Sequence, residues 1–318
     1  MNRSRSSLDT VVHPSDLRPL PAPGRRGVPP QSWCARPPSL AHGRARIALT
    51  AADGRAAALI EQARPRALRA YDQIPMRADD LLRQAKVITP YVANKSVAFV
   101  GDYDSASALL GLLGTLSDPG PAHMLVLDFD ARVLAALRGI ARRYGFADRL
   151  EVRLYNVFDP VPPDLVGRYD WFYTNPPYGS RNNGASGRLF IARGCALTRG
   201  NASGCIILPD DPARPWSRWA MLATQRFLIA HDWLVREKFD GMHRYHLDDD
   251  RDLSSSLLLV DHVAEVDGND RGVPYAGRRI AAAEVPYFYG RAVAPPYPRY
   301  IDREGNAVFV AQPWGGTA

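Results

Sequence analysis

The sequence predicts an α/β protein built on a doubly wound, mostly parallel sheet. Short, continuously apolar segments such as SVAFVGD, HMLVLDFD and GCIILPD alternate with stretches rich in Ala and Leu that suit helices. Continuously apolar strands are typical of parallel sheets, because helices cover both faces of such a sheet. The alternation continues over residues 93–263, which we expect to form one α/β domain.

Three further segments flank that domain. Residues 1–43 are rich in Pro and Arg without a periodic apolar pattern, which predicts a mostly disordered arm. Residues 44–92 are rich in Ala, Leu and Arg with a helix breaker at Pro65, which predicts a short helical entry module. Residues 264–318 are rich in aromatic residues and Pro, and we expect this C-terminal extension to pack on the domain.

The positive charge is concentrated in the first part of the sequence. The formal net charge is +7, and residues 1–46 contribute +6 of it, through eight Arg against Asp9 and Asp16. A globally basic binding face is therefore not required. The arm could contact phosphates, so nucleic acid stays a possible partner, and a solvated tail is the alternative interpretation.

Membrane, secreted and metal-binding classes are not predicted. No window approaches about eighteen uninterrupted apolar residues, and the N-terminus lacks the apolar stretch of a secretory signal, so we expect a cytoplasmic protein with no membrane partner. Cys34, Cys195 and Cys205 are too few for a disulfide framework and show no metal-ligand spacing, so reduced thiols and no metal are expected. A homodimer is kept as a possible assembly.

Small or polar side chains follow four consecutive strands of the predicted sheet. In sheets of this kind, ligands bind beyond the carboxyl ends of the strands. The residues at these ends are, in order, Gly101 and Asp102, Asp128 and Asp130, Asn156, and Asn175. We therefore expect these residues to converge on one ligand.

Each strand end suggests a role. Gly101 lets the backbone approach a ligand closely, but GDYDSAS contains neither GKS nor GxGxxG, so a diphosphate cradle is not expected. Asp128 directly follows MLVL and can accept hydrogen bonds from two ribose hydroxyls. Asp130 could share that role or could cap the helix that begins near Arg132. Asn156 could bind an adenine edge or could be a turn residue.

The order of these features resembles the class I S-adenosylmethionine-dependent methyltransferases, whose fold is Rossmann-like. In DWFYTNPPY, an apolar strand ends at Asn175, Pro176, Pro177 and Tyr178, which match the motif of transferases that alkylate an amino nitrogen. The prolines fix the turn, so the Asn175 side-chain oxygen and a backbone carbonyl can accept hydrogen bonds from a substrate amino group. Tyr178 offers a ring for stacking on a flat or cationic substrate. These four residues are the predicted catalytic turn.

A more specific resemblance covers roughly residues 70–260. The segments YDQIPMRADDLLRQA, FVGDYDSASALLGL, MLVLDFDARVL, YDWFYTNPPY and FIARGCAL are together similar to the branched-chain polyamine synthases, the N4-bis(aminopropyl)spermidine synthase family. That family shows an Asp-Gln segment before the sheet, a Gly-Asp-Asp-Asp loop, a Leu-Asp-Ile-Asp strand end and an Asp-Pro-Pro turn. The resemblance implies an aminopropyltransferase that takes a small amine or polyamine as acceptor.

Matching positions extend the resemblance to individual residues. Together with the argument from the strand ends, the resemblance implies that the donor is bound by Gly101, Asp104, Asp128, Asp130 and Asn156. It also implies that the substrate is bound by Asp72, Gln73, Tyr103 and Asp249. Two departures matter, because Tyr103 stands where the family has the middle Asp of its loop and Asn175 stands where it has Asp. Each departure loses a carboxylate that a polyamine would favour.

The chemistry leaves the donor and the acceptor open. Asp102 or Asp170 could accept the proton that the amine loses, although Asp170 could equally be a structural residue at a strand start. Aminopropyl transfer uses decarboxylated S-adenosylmethionine, whereas methyl transfer uses S-adenosylmethionine, whose carboxylate the acidic loop disfavours. The alternative function is methylation of adenine or cytosine in nucleic acid, or of another amine, although no target-recognition domain is evident. A binding module without catalysis is a third hypothesis.

Three remaining segments each allow two interpretations. DGMHRYHLDDDRD is typical of a hairpin tip with a solvated acidic run, and its aspartates, Asp249 among them, could instead capture a cationic substrate. GSRNNGASGRLF could be a mobile lid over the substrate or a plain loop. Trp216 and Trp219, three residues apart on a predicted helix, suggest core packing more than a stacking platform.

Overall fold

The computed structural model describes residues 47, 49–116, 119–247, 253–263, 277–295, 298–301 and 307–309. The arm predicted for residues 1–43 lies outside the described residues. The chain divides into the units Met1–Pro38 and Ser39–Ala318, and every described residue belongs to the second unit.

Helices and strands alternate through most of the described chain. The helices are α1 (Ala51–Ala63), α2 (Ala78–Val92), α3 (Ala106–Leu116), α4 (Ala131–Tyr144), α5 (Ala185–Leu197), α6 (Pro215–Ala230) and α7 (Val285–Phe288). The strands are β1 (Ser96–Val100), β2 (His123–Asp128), β3 (Leu150–Leu154), β4 (Tyr169–Thr174), β5 (Thr198–Pro209), β6 (Trp233–Arg244), β7 (Ser254–His262), β8 (Pro298–Ile301) and β9 (Ala307–Phe309).

The first seven strands form one mixed sheet in the order β3-β2-β1-β4-β5-β7-β6. The pairs from β3 to β5 are parallel, while β7 pairs antiparallel with both β5 and β6. Helices join the successive parallel strands, except between β3 and β4, where an irregular segment makes the connection. The predicted fold class, a doubly wound and mostly parallel α/β sheet, is therefore confirmed.

The position of the site follows from the strand order. The chain moves outward from β1 to β2 and β3, and then returns to place β4 on the other side of β1. A crevice forms at such a reversal, beyond the carboxyl ends of the two central strands. The Thr174 hydroxyl donates to the Val100 carbonyl at 2.8 Å and so joins the ends of β4 and β1.

The segment predicted to be a hairpin tip begins within β6 and continues past its end. Strands β6 and β7 pair antiparallel, and His243 is fully buried within β6 rather than exposed at a tip. His246 contacts Glu61 of α1, with 2.9 Å between Nε2 and the carboxylate. The acidic run at 248–252, which includes Asp249, lies outside the described residues.

The helices that precede the sheet pack on it through a buried carboxylate. Asp80, in the first turn of α2, is fully buried, and one of its oxygens accepts hydrogen bonds from the Arg244 backbone N–H and Nε at 2.9 and 2.8 Å. A buried charge is tolerated only when it is paired and hydrogen-bonded in this way. The interaction therefore fixes α2 against the end of β6.

Part of the C-terminal extension contacts the sheet domain. Val285 and Phe288 of α7 are buried in a cluster with Phe158 and Leu189. The Ile280 amide donates to the Phe158 carbonyl at 2.8 Å. The short helix therefore lies against the connection that follows β3 and against α5.

Two expectations about single residues have different outcomes. Trp219 is 59% exposed, so core packing was the wrong interpretation for that residue, whereas Trp216 is partly buried against the main core. Cys195 and Cys205 are buried and free, as expected.

No helix within the described ranges is both long and apolar enough to cross a bilayer.

In the β4 segment DWFY, the Phe172 ring packs in a space that exists because two neighbouring residues are glycines. Phe172 points away from the face that carries Trp171 and Tyr173, into the space left by Gly194 of α5 and Gly204 of β5. A Cβ at either glycine would overlap the Phe172 ring. The two glycines are therefore a steric requirement of this strand.

We expect Gly204→Ala to destabilise the protein by about 1–3 kcal/mol, because the added methyl group must displace a buried ring. The matched control is Gly139→Ala in α4, where an added Cβ meets nothing within 4 Å. That control should gain about 1 kcal/mol, since Ala suits a helix interior better than Gly. Thermal and denaturant unfolding of both variants would measure the difference, and equal stability would contradict this packing.

Candidate active site

A cavity of about 620 Å³ lies at the carboxyl edge of the parallel strands. Most of the predicted site residues line it together. They are Asp72, Gln73, Gly101, Asp102, Tyr103, Asp104, Asp128, Asn175, Pro176, Pro177 and Tyr178. The structure thus brings the strand ends, the segment before the sheet and the Asn-Pro-Pro-Tyr turn to one place.

The loop after β1 is shaped by Gly101 and Asp102. Gly101 has a φ of 70°, in the left-handed region, and its amide donates to the Leu127 carbonyl at 2.8 Å. The Asp102 carboxylate accepts from the amides of Ala106 and Ser107 at 2.8 and 3.1 Å. It also accepts from the Ser107 hydroxyl. Asp102 therefore caps the start of α3 instead of presenting a base to a substrate.

Burial changes the acidity of Asp102. The side chain is almost fully inaccessible to solvent, and burial raises its pKa to about 8 in spite of the three hydrogen bonds it accepts. In an unfolded chain the pKa of Asp is about 4. Between these two values the folded protein holds a proton that the unfolded chain has released, so rising pH favours unfolding.

Asp102→Asn removes that titration. We expect the free energy of unfolding of the wild type to fall relative to this variant as pH rises from about 4 to about 8, by on the order of a few kcal/mol. Denaturant titrations of both proteins at intervals across this range measure the difference. A difference that stays constant with pH would show that Asp102 does not titrate as described.

Asp128 holds the loop from the next strand. Its Oδ2 accepts from the Asp102 amide at 2.9 Å, and its Oδ1 accepts from the Asp130 amide at 2.8 Å. Burial raises its pKa to about 6. Each carboxylate oxygen can accept more than one hydrogen bond, so the two oxygens retain capacity for ribose hydroxyls.

Asp130 and Gln73 bind each other. Asp130 is fully buried, accepts from the backbone amide of Arg132 at 2.9 Å as the N-cap of α4, and pairs with the Arg132 guanidinium at 2.7 Å. Gln73 Nε2 donates to Asp130 at 3.0 Å, while Gln73 Oε1 accepts from the Leu68 amide at 2.9 Å.

These contacts decide between the two interpretations of Asp130. Asp130 caps α4, so the helix-cap interpretation is confirmed, and its fully buried carboxylate is bound by Arg132 and Gln73, while direct contact with the donor stays a prediction. Gln73 lines the cavity, and the two bonds of its amide hold the segment before the sheet in place. One N–H and one lone pair of that amide remain, so a contact of Gln73 with the substrate also stays a prediction.

Asn156 lies in a smaller cavity of about 50 Å³ that shares Phe129, Val157 and Phe190 with the main one. Its side-chain oxygen accepts from the Phe158 amide at 3.1 Å, as in a turn. The turn interpretation is confirmed for that oxygen. Apolar side chains dominate this part of the wall.

The Asn175 side chain is fixed by Asp104. Asn175 Nδ2 donates to Asp104 Oδ2 at 2.7 Å, and Asp104 Oδ1 accepts from the Met76 amide at 2.8 Å. Arg64, at the end of α1, donates from Nε to the Asp104 carbonyl and from Nη1 to the Met76 carbonyl. Because Asp104 engages one N–H of the Asn175 amide and so fixes its orientation, the amide oxygen can accept a hydrogen bond from a ligand.

Two tyrosines on the wall are hydrogen-bonded to the protein. The Tyr178 hydroxyl pairs with that of Tyr245, and the two rings meet edge to face. The Tyr103 hydroxyl donates to the Pro65 carbonyl at 3.0 Å. Burial raises the pKa of both Tyr103 and Tyr178, so both remain neutral phenols.

Asp72 lies at the rim of the cavity in an uncommon backbone conformation. Its φ is 56°, and its carboxylate is 4.0 Å from the Arg291 guanidinium. Partial burial raises the pKa of Asp72, although Arg291, Arg69 and Arg181 lower it. Strained residues of this kind cluster at functional sites.

Asp170 lies at the opposite edge of the sheet from the cavity. It is at the start of β4, where its carboxylate accepts from the amide and hydroxyl of Ser96 at 2.9 and 2.7 Å and pairs with Arg199. A role as proton acceptor was therefore the wrong interpretation, and the strand-start interpretation is the right one.

The loop that follows the turn is anchored at one residue. Asn182 Nδ2 donates to the carbonyls of Tyr287 and Phe288 at 2.8 and 3.1 Å and contacts the Ser186 hydroxyl at 2.9 Å. These bonds tie the loop to α7. Within the described part of the chain, a plain packed loop fits these contacts better than a free lid.

Some cavity residues were not predicted from the sequence to be site residues. They are Tyr71, Phe129, Arg181, Trp216, Tyr245, Tyr289 and Arg291. Tyr289 and Arg291 come from a segment without a motif, while the other five lie in segments that drew attention for other residues or for packing. Among the described side chains, no group of three or more His, Cys, Asp or Glu is arranged to hold a metal ion.

Most of the sequence matches a known family. The family model described as the branched-chain polyamine synthase A C-terminal domain matches residues 55–261, more than half of the sequence. The chain belongs to this family. A curated member, the N(4)-bis(aminopropyl)spermidine synthase of Thermococcus kodakarensis, is 30% identical over 112 residues, which are 35% of this chain and 28% of that protein.

Other relatives are more distant. An uncharacterized protein of Methanocaldococcus jannaschii is 22% identical over 151 residues, which are 48% of this chain and 34% of that protein. The match to each of these two curated relatives thus spans about a third of the relative's length or less.

Solved structures share the fold. The branched-chain polyamine synthase of Thermus thermophilus, solved in complex with N4-aminopropylspermidine and 5′-methylthioadenosine, superposes with a TM-score of 0.56 at 22% identity, covering 83% of this chain and 78% of that one. A putative RNA methyltransferase of Pyrococcus horikoshii gives a TM-score of 0.50 at 13% identity, over 67% and 100% of the two chains. At these identities the likeness establishes the fold.

Proposed function

We propose that this protein is a transferase that alkylates an amino nitrogen from an S-adenosyl sulfonium donor, and specifically an aminopropyltransferase that acts on a polyamine. Family membership supports the reaction class. The observation that carries the proposal is the hydrogen bond from Asn175 Nδ2 to Asp104, which places a side-chain amide and a carboxylate side by side in the cavity.

The cavity suits the adenosine part of such a donor. The spare lone pairs of Asp128 suit the two ribose hydroxyls. Phe129, Val157 and Phe190 offer apolar walls to an adenine ring, next to Asn156. The left-handed Gly101 leaves room at the first strand end, since a Cβ there would be 3.1 Å from the Phe190 ring.

The turn orients the acceptor amine. Pro176 and Pro177 fix the backbone, and Asp104 holds the Asn175 amide so that its oxygen can accept an N–H from the amine. An amine held in this way directs its lone pair at the carbon to be transferred, and such positioning is a large part of catalysis in bimolecular transfer.

Asp104 is the proposed proton acceptor. The donor supplies a carbon bonded to positively charged sulfur; as the N–C bond forms, the C–S bond breaks and its electrons remain on sulfur. The nitrogen must then lose one proton. The Asp104 carboxylate is 2.7 Å from the Asn175 amide and so lies beside the amine, whereas Asp102 is engaged in capping α3. Asp104 therefore replaces Asp102 in this role.

The acidic groups favour the decarboxylated donor and a cationic acceptor. Asp104 and Asp128 lie together at strand ends that line the cavity. A donor that carried its own carboxylate would add a further negative charge, while the ammonium groups of a polyamine are attracted. Asp72 at the rim is a further anionic contact for the acceptor, and Tyr103 supplies an uncharged wall.

The direct test incubates the purified protein with decarboxylated S-adenosylmethionine and spermidine. We expect methylthioadenosine and an N4-aminopropylated product by mass spectrometry. Parallel reactions contain S-adenosylmethionine in place of the decarboxylated donor, with either spermidine or DNA as the acceptor. Formation of S-adenosylhomocysteine alone would overturn aminopropyl transfer in favour of N-methylation, and consumption of neither donor would overturn both.

Asn175→Ala tests the turn. We expect kcat to fall by about 100-fold or more, since the amine is no longer oriented, while the melting temperature changes little. The control is Asp148→Ala, because Asp148 is exposed ahead of β3 at the opposite edge of the sheet, and this variant should keep wild-type turnover. Undiminished turnover in Asn175→Ala would remove Asn175 from the mechanism.

A further inference from the structure

A series of hydrogen bonds leads from the cavity wall into the β6–β7 hairpin. The Tyr178 hydroxyl pairs with the Tyr245 hydroxyl, which is 2.6 Å from Ser255 Oγ. Ser255 Oγ is 2.9 Å from His243 Nδ1. We call these four residues the Tyr178–His243 network. Tyr245, Ser255 and His243 are at most 2% exposed, so bulk water competes little for these bonds.

Each hydroxyl in the network has one proton to donate. Burial raises the pKa of both tyrosines well above its usual range, so neither is a phenolate. A hydroxyl that donates to one neighbour accepts from the other, and the bonds along the network therefore tend to run in one direction. The residue at the buried end, His243, determines that direction.

The two directions present different atoms to the cavity. If His243 Nδ1 accepts, Ser255 donates to it, Tyr245 donates to Ser255 and Tyr178 donates to Tyr245. The Tyr178 oxygen then offers a lone pair to the cavity. If Nδ1 carries a proton, the order reverses and the Tyr178 O–H points into the cavity as a donor.

We propose that His243 is a positioning residue that sets the Tyr178 hydroxyl as a hydrogen-bond acceptor for the substrate amine. This requires the neutral His243 ring with its proton on Nε2. The inference rests on the proposed function for the identity of the ligand, an amine with N–H groups.

A second observation agrees with that direction. Asn175 already offers an oxygen, since Asp104 engages one N–H of its amide and fixes its orientation. With Tyr178 also accepting, both polar side chains of the Asn-Pro-Pro-Tyr turn offer acceptors. An amine that attacks through its lone pair offers only N–H groups to the turn, one at a secondary nitrogen and two at a primary one, and the ammonium groups elsewhere on a polyamine offer more. Acceptors therefore suit such a ligand and a donor does not. The network thus selects for an amine at the turn.

The first test determines the tautomer of His243 in the absence of substrate. NMR spectra are recorded of protein labelled with ¹⁵N at histidine, and the His243 signals are assigned by their loss in His243→Gln. We expect the pattern of a neutral ring protonated on Nε2. Ser255→Ala should shift the Nδ1 signal, whereas Ser256→Ala should not, because Ser256 is equally buried but bonds to Gly241 and Asp210. A His243 ring protonated on Nδ1 would overturn the proposal.

The second test asks whether Ser255, which connects His243 to the two tyrosines, acts through Tyr178. In the spermidine assay, Ser255→Ala and Tyr178→Phe should each raise KM for spermidine about tenfold, the effect of one lost hydrogen bond, with kcat changed far less. The double variant should show no further rise, since both changes remove the same contact. Additive effects would indicate a general structural role and overturn the proposal.

The two tests separate the failures. A wild type that consumes no donor overturns the proposed function, while the NMR measurement still decides the His243 tautomer. A wild type that transfers aminopropyl groups with His243 protonated on Nδ1 keeps the function and overturns the network.

Discussion

The buried contact between Arg64 and Asp104 connects the parts on which the site depends. Both side chains are nearly inaccessible to solvent, and the guanidinium also binds the carbonyls of Asp104 and Met76. Charges removed from water are stable only with a partner and satisfied hydrogen bonds. This requirement joins α1, the segment before the sheet and the loop after β1, and through Asp104 it also fixes Asn175.

Some carboxylates at the strand ends stabilise the fold, and one is placed to take part in the reaction. Asp102 caps a helix, Asp128 holds the neighbouring loop and Asp130 caps the next helix. Burial raises the pKa of Asp102 and Asp128, and the neighbouring carboxylates raise it further. Asp104 differs from these three because its carboxylate contacts the turn residue Asn175. Asp102, Asp128 and Asp130 thus hold the loops and helices around the site, and Asp104 is the carboxylate proposed to react.

Much of the fold and part of the site could be predicted from the sequence. Alternating apolar segments identified the parallel strands, and the Asn-Pro-Pro-Tyr turn and the Asp-bearing loop located the cavity. The roles of single acids were less predictable. Asp102, Asp130 and Asp170 have the same side chain, and their roles depend on which amides and cations surround them after folding. Tyr245 and His243 lie in a segment whose sequence suggests a hairpin tip. The pairing of β6 with β7 places His243, and a bridge to Met76 places Tyr245.

The sequence by itself determined the strands, their polar ends and the rigid turn, because these follow from local periodicity and from the fixed backbone of proline. Only the tertiary structure decided which hydrogen-bonding atoms remain for a ligand. Asn175 presents its oxygen because a residue 71 positions earlier holds its nitrogen. Tyr178 contacts Tyr245, which lies 67 positions later. Both contacts join residues that are far apart in the sequence, so they form only when the whole domain packs.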